Sequence, residues 1–348
     1  MTEKKRKAVI ADIAAAAGVS TATVSRAINT PAMVRPELRA RVQEALRQLG
    51  YVPDGAARAL ASRRSRSVGV LVPTLSTSIF ARGVEALQNR LAEAGYSLLV
   101  ANSQYDLDKE LMEARVLLER GVDGLVLVGN ERVSEARALL RQSGLPIVVT
   151  YVSDGADGLP AVGIDNFRLA YDLTRYLVDL GHRRFGVISS PFAANDRIRA
   201  RRQGILTCLD HRNAMPEASA LLEVPYTMES GRQALRRVVE ACPPMTALVC
   251  ATDVLAIGAI AEAKDLGLRV PEDLSIAGFD DLEFASYLDP PLTTVHVPTE
   301  QIGLRAAELL LGLMQSRPVE SRTELEGELA IRRSTGAPRR SGELAPRR

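Results

Sequence analysis

From residue 67 onward, hydrophobic and polar positions follow two alternating patterns in this chain of 348 residues. Short apolar runs of strand length alternate with stretches in which apolar residues recur every three or four positions, as on one face of a helix. This alternation is typical of a parallel sheet covered by helices on both faces. The predicted strands are SVGVLV, YSLLVA, GLVLV, PIVVT, FGVISS, ALVCAT and SIAGFD.

The helical stretches include IFARGVEALQNRLAEAG and LDKELMEARVLLERG, and further helices are expected to begin near Asn166, Asp196, Glu229 and Thr252. This α/β region is too long to be built around one hydrophobic core, and we therefore expect two subdomains. Ligands of open α/β sheets bind beyond the carboxyl ends of the strands. The cleft between the two subdomains is therefore the expected ligand site.

The first fifty residues have a different pattern, that of short helices. Residues 9 to 29 predict two helices joined by a turn at Gly18, where a positive φ is tolerated. Ser20 is placed to cap the second helix. A short helix with small polar side chains and one Arg can enter a major groove, although an ordinary helical hairpin has the same pattern. Its predicted inward residues are Val24, Ala27 and Ile28, and its outward residues are Thr21, Ala22, Ser25, Arg26 and Asn29.

A third helix is predicted from Pro36 to Gly50 and completes a small domain. Its apolar stripe is Leu38, Val42, Ala45, Leu46 and Leu49. The following Ala-rich segment, Asp54 to Ala61, is too short to be a stable helix alone, so we expect DNA or a partner chain to order it. Leu60 is its one large apolar side chain and suits a wedge in a minor-groove base step. The alternative is a flexible linker whose Leu packs on the body.

The charge is divided unevenly between these two regions. Residues 1 to 66 hold 13 Lys or Arg against 5 Asp or Glu, whereas the rest of the chain holds 31 against 37. A basic head suits neutralisation of phosphates, with release of counterions. Lys4 to Lys7 form a basic arm that either contacts phosphate or only aids solubility.

Eight segments together resemble the lactose-repressor/galactose-repressor (LacI/GalR) family of bacterial transcription regulators, in family order over residues 9 to 336. They are DIAAAAGVSTATVSRAIN, LGYVPDGAARAL, GVDGLVLV, DLGHRRFGVI, RARRQG, TDVLAIGAI, LGLRVPEDLSIAGFDD and PPLTTV. The resemblance implies an α/β fold: a three-helix helix-turn-helix head, a hinge helix, and a periplasmic-binding-protein-like body of two doubly wound parallel-sheet subdomains.

The expected domain boundaries follow from this resemblance. Residues 1–53 form the DNA-binding domain, 54–66 the hinge helix and linker, 67–338 the effector-binding and dimerisation domain, and 339–348 a disordered basic tail. Within the body, the first subdomain takes about 67–164 and 297–319, and the second about 165–296 and 320–338.

The resemblance also implies functional residues. Thr21, Ala22 and Arg26 correspond to base-contacting positions of the family. Ser20, Thr23, Ser25 and Asn29 complete the set on the recognition helix, and Ala57 and Leu60 lie on the hinge helix. The implied effector-binding residues are Ile79, Phe80, Asp165, Arg201, Tyr226, Thr252 and Asp280. An aromatic face stacks on a pyranose or a base, while a guanidinium fork and a carboxylate together bind hydroxyls or a carboxylate.

Several residues depart from the family pattern. Asp54 stands for a hinge-helix Asn, Val9 for the usual cap of the first helix, and Arg35 for the Ser before the third. In the cleft, Thr252 replaces a more usual Asn, and Tyr151 stands where the lactose repressor has an acid. The lactose-type sugar contacts are therefore not intact. Three further arginines, Arg197, Arg199 and Arg202, favour an anionic effector such as a sugar acid.

Enzymatic function is not expected. The three His residues are far apart, and metal-ligand spacings, a nucleophile elbow and phosphate-binding glycine loops are all missing from the sequence. We expect no cofactor and no metal. Cys208, Cys242 and Cys250 show no CxxC spacing and suit buried thiols of a reducing cytoplasm. No apolar run is long enough to span a membrane and no signal peptide is evident, so we expect a cytoplasmic protein, on the nucleoid when bound to DNA.

The predicted function is a repressor of catabolic genes that binds a palindromic double-stranded operator as a homodimer. A sugar or sugar acid in the cleft is expected to switch it. A dimer is expected because Pro338 to Arg348 lacks leucine heptads that would join dimers into a tetramer. The alternative is a cytoplasmic sugar-binding sensor that does not bind DNA.

Overall fold

A computed structural model describes residues 8–51, 64–241 and 245–339. The chain divides into two units, Met1–Arg66 and Ser67–Arg348. The predicted hinge helix with Ala57 and Leu60, the residues of the basic tail from 340 onward and Cys242 lie outside the described residues. No helix within the described part of the chain is long and apolar enough to cross a membrane.

Three helices form the first unit: α1 (Ile10–Ala17), α2 (Thr21–Asn29) and α3 (Pro36–Gln48). Gly18 has the expected positive φ of 60°, and Arg41 Nη2 donates to the Gly18 carbonyl at 3.3 Å, which ties α3 to the turn. The fully buried core residues are Ile13, Ala14, Ala17, Val24, Val42 and Ala45. Val24, Ala27 and Ile28 face this core as predicted. The prediction for Leu49 was wrong: α3 ends at Gln48, so Leu49 leaves the helical face and is 42% exposed.

A six-stranded parallel sheet begins the second unit, with strand order β11-β5-β4-β3-β1-β2. Its strands are β1 (Ser67–Val72), β2 (Ser97–Asn102), β3 (Leu125–Val128), β4 (Ile147–Thr150), β5 (Ala161–Gly163) and β11 (Arg322–Glu324). Its helices are α4 (Ser78–Glu93), α5 (Leu107–Glu119), α6 (Ser134–Ser143) and α11 (Thr299–Met314). Apolar residues of α4 and α11 share one core with β1, and those of α5 and α6 share another, so both faces of the sheet are covered.

A four-stranded parallel sheet, in the order β7-β6-β8-β9, follows the first sheet in the chain. Its strands are β6 (Phe185–Ser189), β7 (Leu221–Glu223), β8 (Ala247–Cys250) and β9 (Ser275–Ala277). Its helices are α7 (Asn166–Asp179), α8 (Asp196–His211), α9 (Met228–Ala241) and α10 (Asp253–Asp265). Strand β10 (Thr294–His296) pairs antiparallel with β12 (Glu328–Ala330). The doubly wound fold predicted from the sequence is confirmed.

The predicted strands all form, and the predicted helix starts differ from the observed ones by one residue at most. One crossing between subdomains differs from expectation. Strand β11 pairs with β5 from Arg322 to Glu324, so the chain leaves the first sheet after Glu324 rather than near 320. Cys208 and Cys250 are buried free thiols, as expected.

Candidate nucleic-acid interface and ligand cleft

Helix α2 presents an exposed polar face. The Ser20 hydroxyl caps the helix by accepting from the Thr23 amide at 3.1 Å. Thr21, Ala22 and Arg26 are exposed, and the Arg26 side chain forms no hydrogen bond or ion pair with the residues described by the structure. This free guanidinium on a capped helix can reach an external acceptor.

The other predicted DNA-contacting residues of α2 are less free. The Thr23 side chain is half-buried, and its hydroxyl lies 2.9 Å from that of Ser20. Ser25 is also half-buried and accepts from the Asn29 amide nitrogen at 3.3 Å. These contacts fix side-chain directions within α2, so the freely exposed positions carry most of its recognition capacity.

A small cavity, about 30 Å³ in volume, lies between the two sheets. It is lined by six of the seven predicted effector residues: Ile79, Phe80, Arg201, Tyr226, Thr252 and Asp280. The lining also includes Tyr105, Tyr151, Ser190, Asn195, Arg197 and Ile198. Nearly all of these residues follow the carboxyl end of a parallel strand, which is where ligands of such sheets bind. Among the additional residues, Arg197 had drawn attention only as part of an arginine cluster.

The centre of the cavity is a buried ion pair. Arg201 Nη1 lies 2.7 Å from Asp280 Oδ1, and both side chains are less than one-tenth exposed. Arg201 Nε also donates to Asn166 Oδ1 at 2.9 Å, and its guanidinium stacks 3.8 Å from the centre of the Phe279 ring. Burial raises the pKa of Asp280, and Arg201 partly opposes this increase. The φ of Asp280 is 126°, a strained value of the kind that clusters at binding sites.

Arg197 connects the second sheet to the first. It pairs with Asp196 at 2.9 Å, and Asp196 Oδ2 accepts from the Asn130 amide at 2.7 Å. A Cβ atom at Gly129 would lie 1.7 Å from Arg197 Nη1, and Gly129 has a φ of 68°. A larger residue here would strain the backbone and displace the Arg197 guanidinium. The first turn of α8 thus packs directly on the loop after β3.

Aromatic side chains enclose the rest of the cavity. The Tyr151 hydroxyl donates to the Ile79 carbonyl at 2.8 Å, and its ring meets Phe80 edge-on. Tyr105 and Tyr226 make a similar contact, with ring centres 6.0 Å apart. Burial raises the pKa of Tyr105 to about 12 and raises the pKa values of Tyr151 and Tyr226 as well. All three phenols are therefore neutral hydrogen-bonding groups at ordinary pH.

Thr252 and Asp165, two other predicted effector residues, differ in whether their polar atoms already have hydrogen-bond partners. Thr252 is 2% exposed, and its hydroxyl has no hydrogen-bond partner among the described residues. A ligand hydroxyl at this point would relieve an unfavourable buried group. Asp165, by contrast, is not among the lining residues. Its carboxylate accepts from the Arg168 amide at 2.9 Å and caps α7, and the next residue, Asn166, reaches Arg201 instead.

Beneath the cavity, Asp253 is completely buried. Its two oxygens accept from the Thr294 hydroxyl at 2.6 Å and the Leu282 amide at 2.8 Å. Burial is the main cause that raises the pKa of Asp253 to about 7. Asp253 therefore titrates near neutral pH, well above an ordinary aspartate.

The sequence matches two known families. Residues 9–54 match the bacterial regulatory proteins of the lacI family, and residues 174–335 match the periplasmic binding protein-like domain. The chain is 35% identical over 340 residues to the HTH-type transcriptional repressor CytR of Escherichia coli (strain K12), covering 97% of this chain and 99% of that repressor. It is 35% identical over 330 residues to the HTH-type transcriptional repressor PurR of Proteus mirabilis (strain HI4320), covering 94% and 96%.

Solved structures agree with these matches. The lac repressor dimer bound to operator and the anti-inducer ONPF has a TM-score of 0.85 at 27% identity, over 95% of this chain and 100% of that one. The transcription regulator GntR from Chromobacterium violaceum has a TM-score of 0.74 at 35% identity, over 77% of this chain and 99% of that one.

The fold, the three-helix first unit and the similarity to known repressors together identify a DNA-binding transcriptional repressor, not an enzyme. The chain belongs to the lacI family of bacterial regulatory proteins. This confirms the family and the general function predicted from the sequence. The alternative of a sensor without DNA binding has no support in these matches.

Proposed function

We propose that the protein represses its target genes as a homodimer that binds an inverted-repeat operator through one α2 helix from each subunit. The exposed Arg26 on the capped α2 helix supports this proposal most directly. One three-helix head covers little DNA, so two heads on two half-sites gain both affinity and spacing specificity. Ser20, Thr21, Ala22, Thr23, Ser25, Arg26 and Asn29 are the proposed contacts of α2, and Ala57 and Leu60 those of the hinge. The protein would act in the cytoplasm, where its operator lies.

The domain boundaries belong to the same proposal. The head would end at residue 53, the hinge and linker would occupy 54–66, and the effector and dimerisation domain would extend to 338. An apolar surface supports dimerisation through the first sheet. Val100, on edge strand β2, is 43% exposed, and Met112 and Val116 on the adjacent helix α5 are 60% and 44% exposed. Sedimentation equilibrium should give twice the monomer mass, and a stable tetramer would contradict the proposal.

The proposed effector is a small polyhydroxylated molecule bound in the cleft by Ile79, Phe80, Arg201, Tyr226, Thr252 and Asp280. The Arg201–Asp280 pair offers donors and acceptors, and the Thr252 hydroxyl lacks a partner among the described residues. The two arginines of the cavity are both matched by carboxylates, Arg201 by Asp280 and Arg197 by Asp196. This balance favours a neutral sugar over the sugar acid that the arginine cluster alone suggested. We do not include Asp165 in this set, because its carboxylate caps α7.

Selection of binding sites from a random duplex library tests the first part of the proposal. An inverted repeat should be enriched, and its affinity should fall steeply with salt as released counterions oppose binding. Selection is repeated in the presence of pooled neutral sugars and pooled sugar acids, in case a ligand is needed for binding. Failure to enrich a repeat under all three conditions would contradict the proposed DNA binding.

Titration of the selected operator complex with the two pools then tests the effector. A change in operator affinity with neutral sugars supports the balanced-charge argument. A response to sugar acids alone would show that the arginine cluster, not the pairing, determines the ligand class.

A further inference from the structure

The first subdomain contains a second and larger cavity, about 280 Å³ in volume, outside the effector cleft. It lies between α6 and the segment that joins β4 to β5, where most α/β units place a helix. Its lining residues are Asn130, Arg132, Arg137, Leu140, Arg141, Gly144, Leu145, Ile147, Ala156, Asp157 and Leu159. None of these lines the cavity between the sheets. This volume is close to that of the smaller ligand sites in proteins.

The lining combines an apolar floor with arginines. Four aliphatic side chains provide the floor: Leu140, Leu145, Ile147 and Leu159. Arg132, Arg137 and Arg141 also line the cavity, and Asp157 is its single acidic residue. Asp157 pairs with Arg137 at 2.9 Å. Glu110 lies 3.0 Å from Arg132, so the cavity keeps one excess positive charge, that of Arg141.

Two of the arginines retain unused donors. Arg132 is 9% exposed, and its Nε and Nη2 atoms make no hydrogen bond with the described residues, although Nε lies 3.0 Å from Glu110 Oε1. Arg141 is exposed, and its side chain has no hydrogen bond or ion pair within the described ranges. The Arg141 side chain can therefore change rotamer to bind an anion without losing an existing hydrogen bond or ion pair.

Hydrogen bonds hold the walls of the cavity in place. The Asn130 side chain donates to the Asp154 carbonyl at 2.9 Å and accepts from the Ala156 amide at 2.8 Å. Arg137 Nη2 donates to the Asn130 carbonyl at 2.8 Å. A preformed wall reduces the entropic cost of binding a small ligand.

Asn130, in the wall of this cavity, is also connected by contacts to the effector cleft. The amide of Asn130 donates to Asp196 at 2.7 Å, and Asp196 pairs with the cleft residue Arg197. A ligand that shifts Asn130 would therefore act on the contact between α8 and the first sheet.

We propose that this cavity is a second ligand site, which binds a small molecule with an apolar body and one carboxylate or phosphate group. The aliphatic floor takes the body, and the arginines, Arg141 foremost, bind the anionic group. The proposal does not rest on the proposed effector or on DNA binding, so it can be tested by ligand binding to the full-length protein alone.

Methyl NMR of the full-length protein is the test, with benzoate and phenyl phosphate as probes and benzyl alcohol as the uncharged counterpart. At least one anion should shift the methyl signals of Leu140, Leu145 and Ile147 in a saturable way, and benzyl alcohol should bind more weakly. Arg141→Gln should weaken the anion roughly fivefold or more, since one charge-assisted hydrogen bond is lost. Arg120→Gln, a change at an exposed arginine outside this lining, should have no effect.

Three results would overturn the proposal. The first is the absence of a saturable shift with either anion. The second is a shift confined to Ile79 and Ile198, which would place the anion in the effector cleft. The third is equal weakening by Arg141→Gln and Arg120→Gln, which would show only a nonspecific charge effect. Dependence on Arg141 for benzoate or for phenyl phosphate assigns the anionic group as carboxylate or phosphate.

Discussion

Helix α2 and the effector cleft both carry polar side chains, but these side chains differ in exposure and in pairing. On α2, Thr21, Ala22 and Arg26 are exposed to water, and the Arg26 guanidinium has no partner among the described residues. In the cleft, Arg201 and Asp280 are buried and already paired. Removing an exposed group loses only the interaction that it makes with DNA. Removing one member of a buried pair leaves the other charge buried without a partner or water, which destabilises the fold. The two regions should therefore respond very differently to truncation.

The largest effect is expected from Arg201→Ala. This change leaves Asp280 buried without its cation, so the free energy of unfolding should fall by about 3–5 kcal/mol, measured by urea denaturation. The effector response should disappear while α2 still binds the operator.

The double variant Arg201→Ala/Asp280→Ala is the control. It removes both charges, so it should be less destabilised than the sum of the two single variants. A loss below about 1 kcal/mol in the single variant would show that the pair is not truly buried in solution.

The next effect concerns pH and Asp253. Its folded pKa of about 7 lies above the 3.8 of an ordinary aspartate, so the folded protein keeps a proton that the unfolded chain releases between these values. The free energy of unfolding should therefore fall as pH rises from about 4 to about 7, by on the order of 1 kcal/mol per pH unit. Asp253→Asn keeps the shape but cannot ionise, so it should flatten this slope in urea titrations from pH 5 to 8. An equally steep slope in the Asn variant would assign it to other groups.

A smaller effect is expected from Arg26→Ala on the selected operator. One bidentate contact to a guanine accounts for about 1–3 kcal/mol, which anisotropy measures as a weaker dissociation constant at fixed salt. Thr21→Ala is the matched comparison because that side chain is short and reaches less far. If Thr21→Ala weakens binding more than Arg26→Ala, the assignment of the main base contact is wrong.

The smallest effect is expected from Ser20→Ala. Loss of the hydroxyl that accepts from Thr23 should destabilise the start of α2 by about 1 kcal/mol. Hydrogen exchange of the Thr23 amide should become faster by roughly a factor of five, and Ser20→Asn, which can also cap, should restore protection. Unchanged exchange in the Ala variant would mean that the cap does not stabilise the helix.

Local patterns predicted most of the fold. Periods of two and of three to four residues identified the main strands and helices, because burial on one face repeats with the geometry of each element. The strands that were not predicted, β5, β7, β10, β11 and β12, have three residues each, too few to show a period. Leu49 was misplaced because periodicity does not show where α3 ends.

Prediction of the site was limited by long-range contacts. The strand-end rule and the family resemblance led to Arg201 and Asp280, but the contact between Asp196 and the Asn130 amide joins residues 66 positions apart and has no local pattern. Thr252 was noticed as a departure from the family, yet its unpartnered hydroxyl could be seen only in the folded chain. Asp165 corresponds in sequence to an effector position of the family, but its carboxylate caps α7 and it is not among the residues that line the cavity.

Arg197 and Arg201 are four residues apart and lie on the same face of α8. Arg197 contacts Gly129 in the loop after β3, and Arg201 pairs with Asp280, which follows β9. If the effector binds in this cleft as proposed, it would have to meet two conditions at once: it must contact Arg201, and it must leave Arg197 in contact with Gly129. A molecule that meets the first condition but whose bulk displaces Arg197 would occupy the cleft and compete with the effector without transmitting its signal. Such a molecule would be an antagonist.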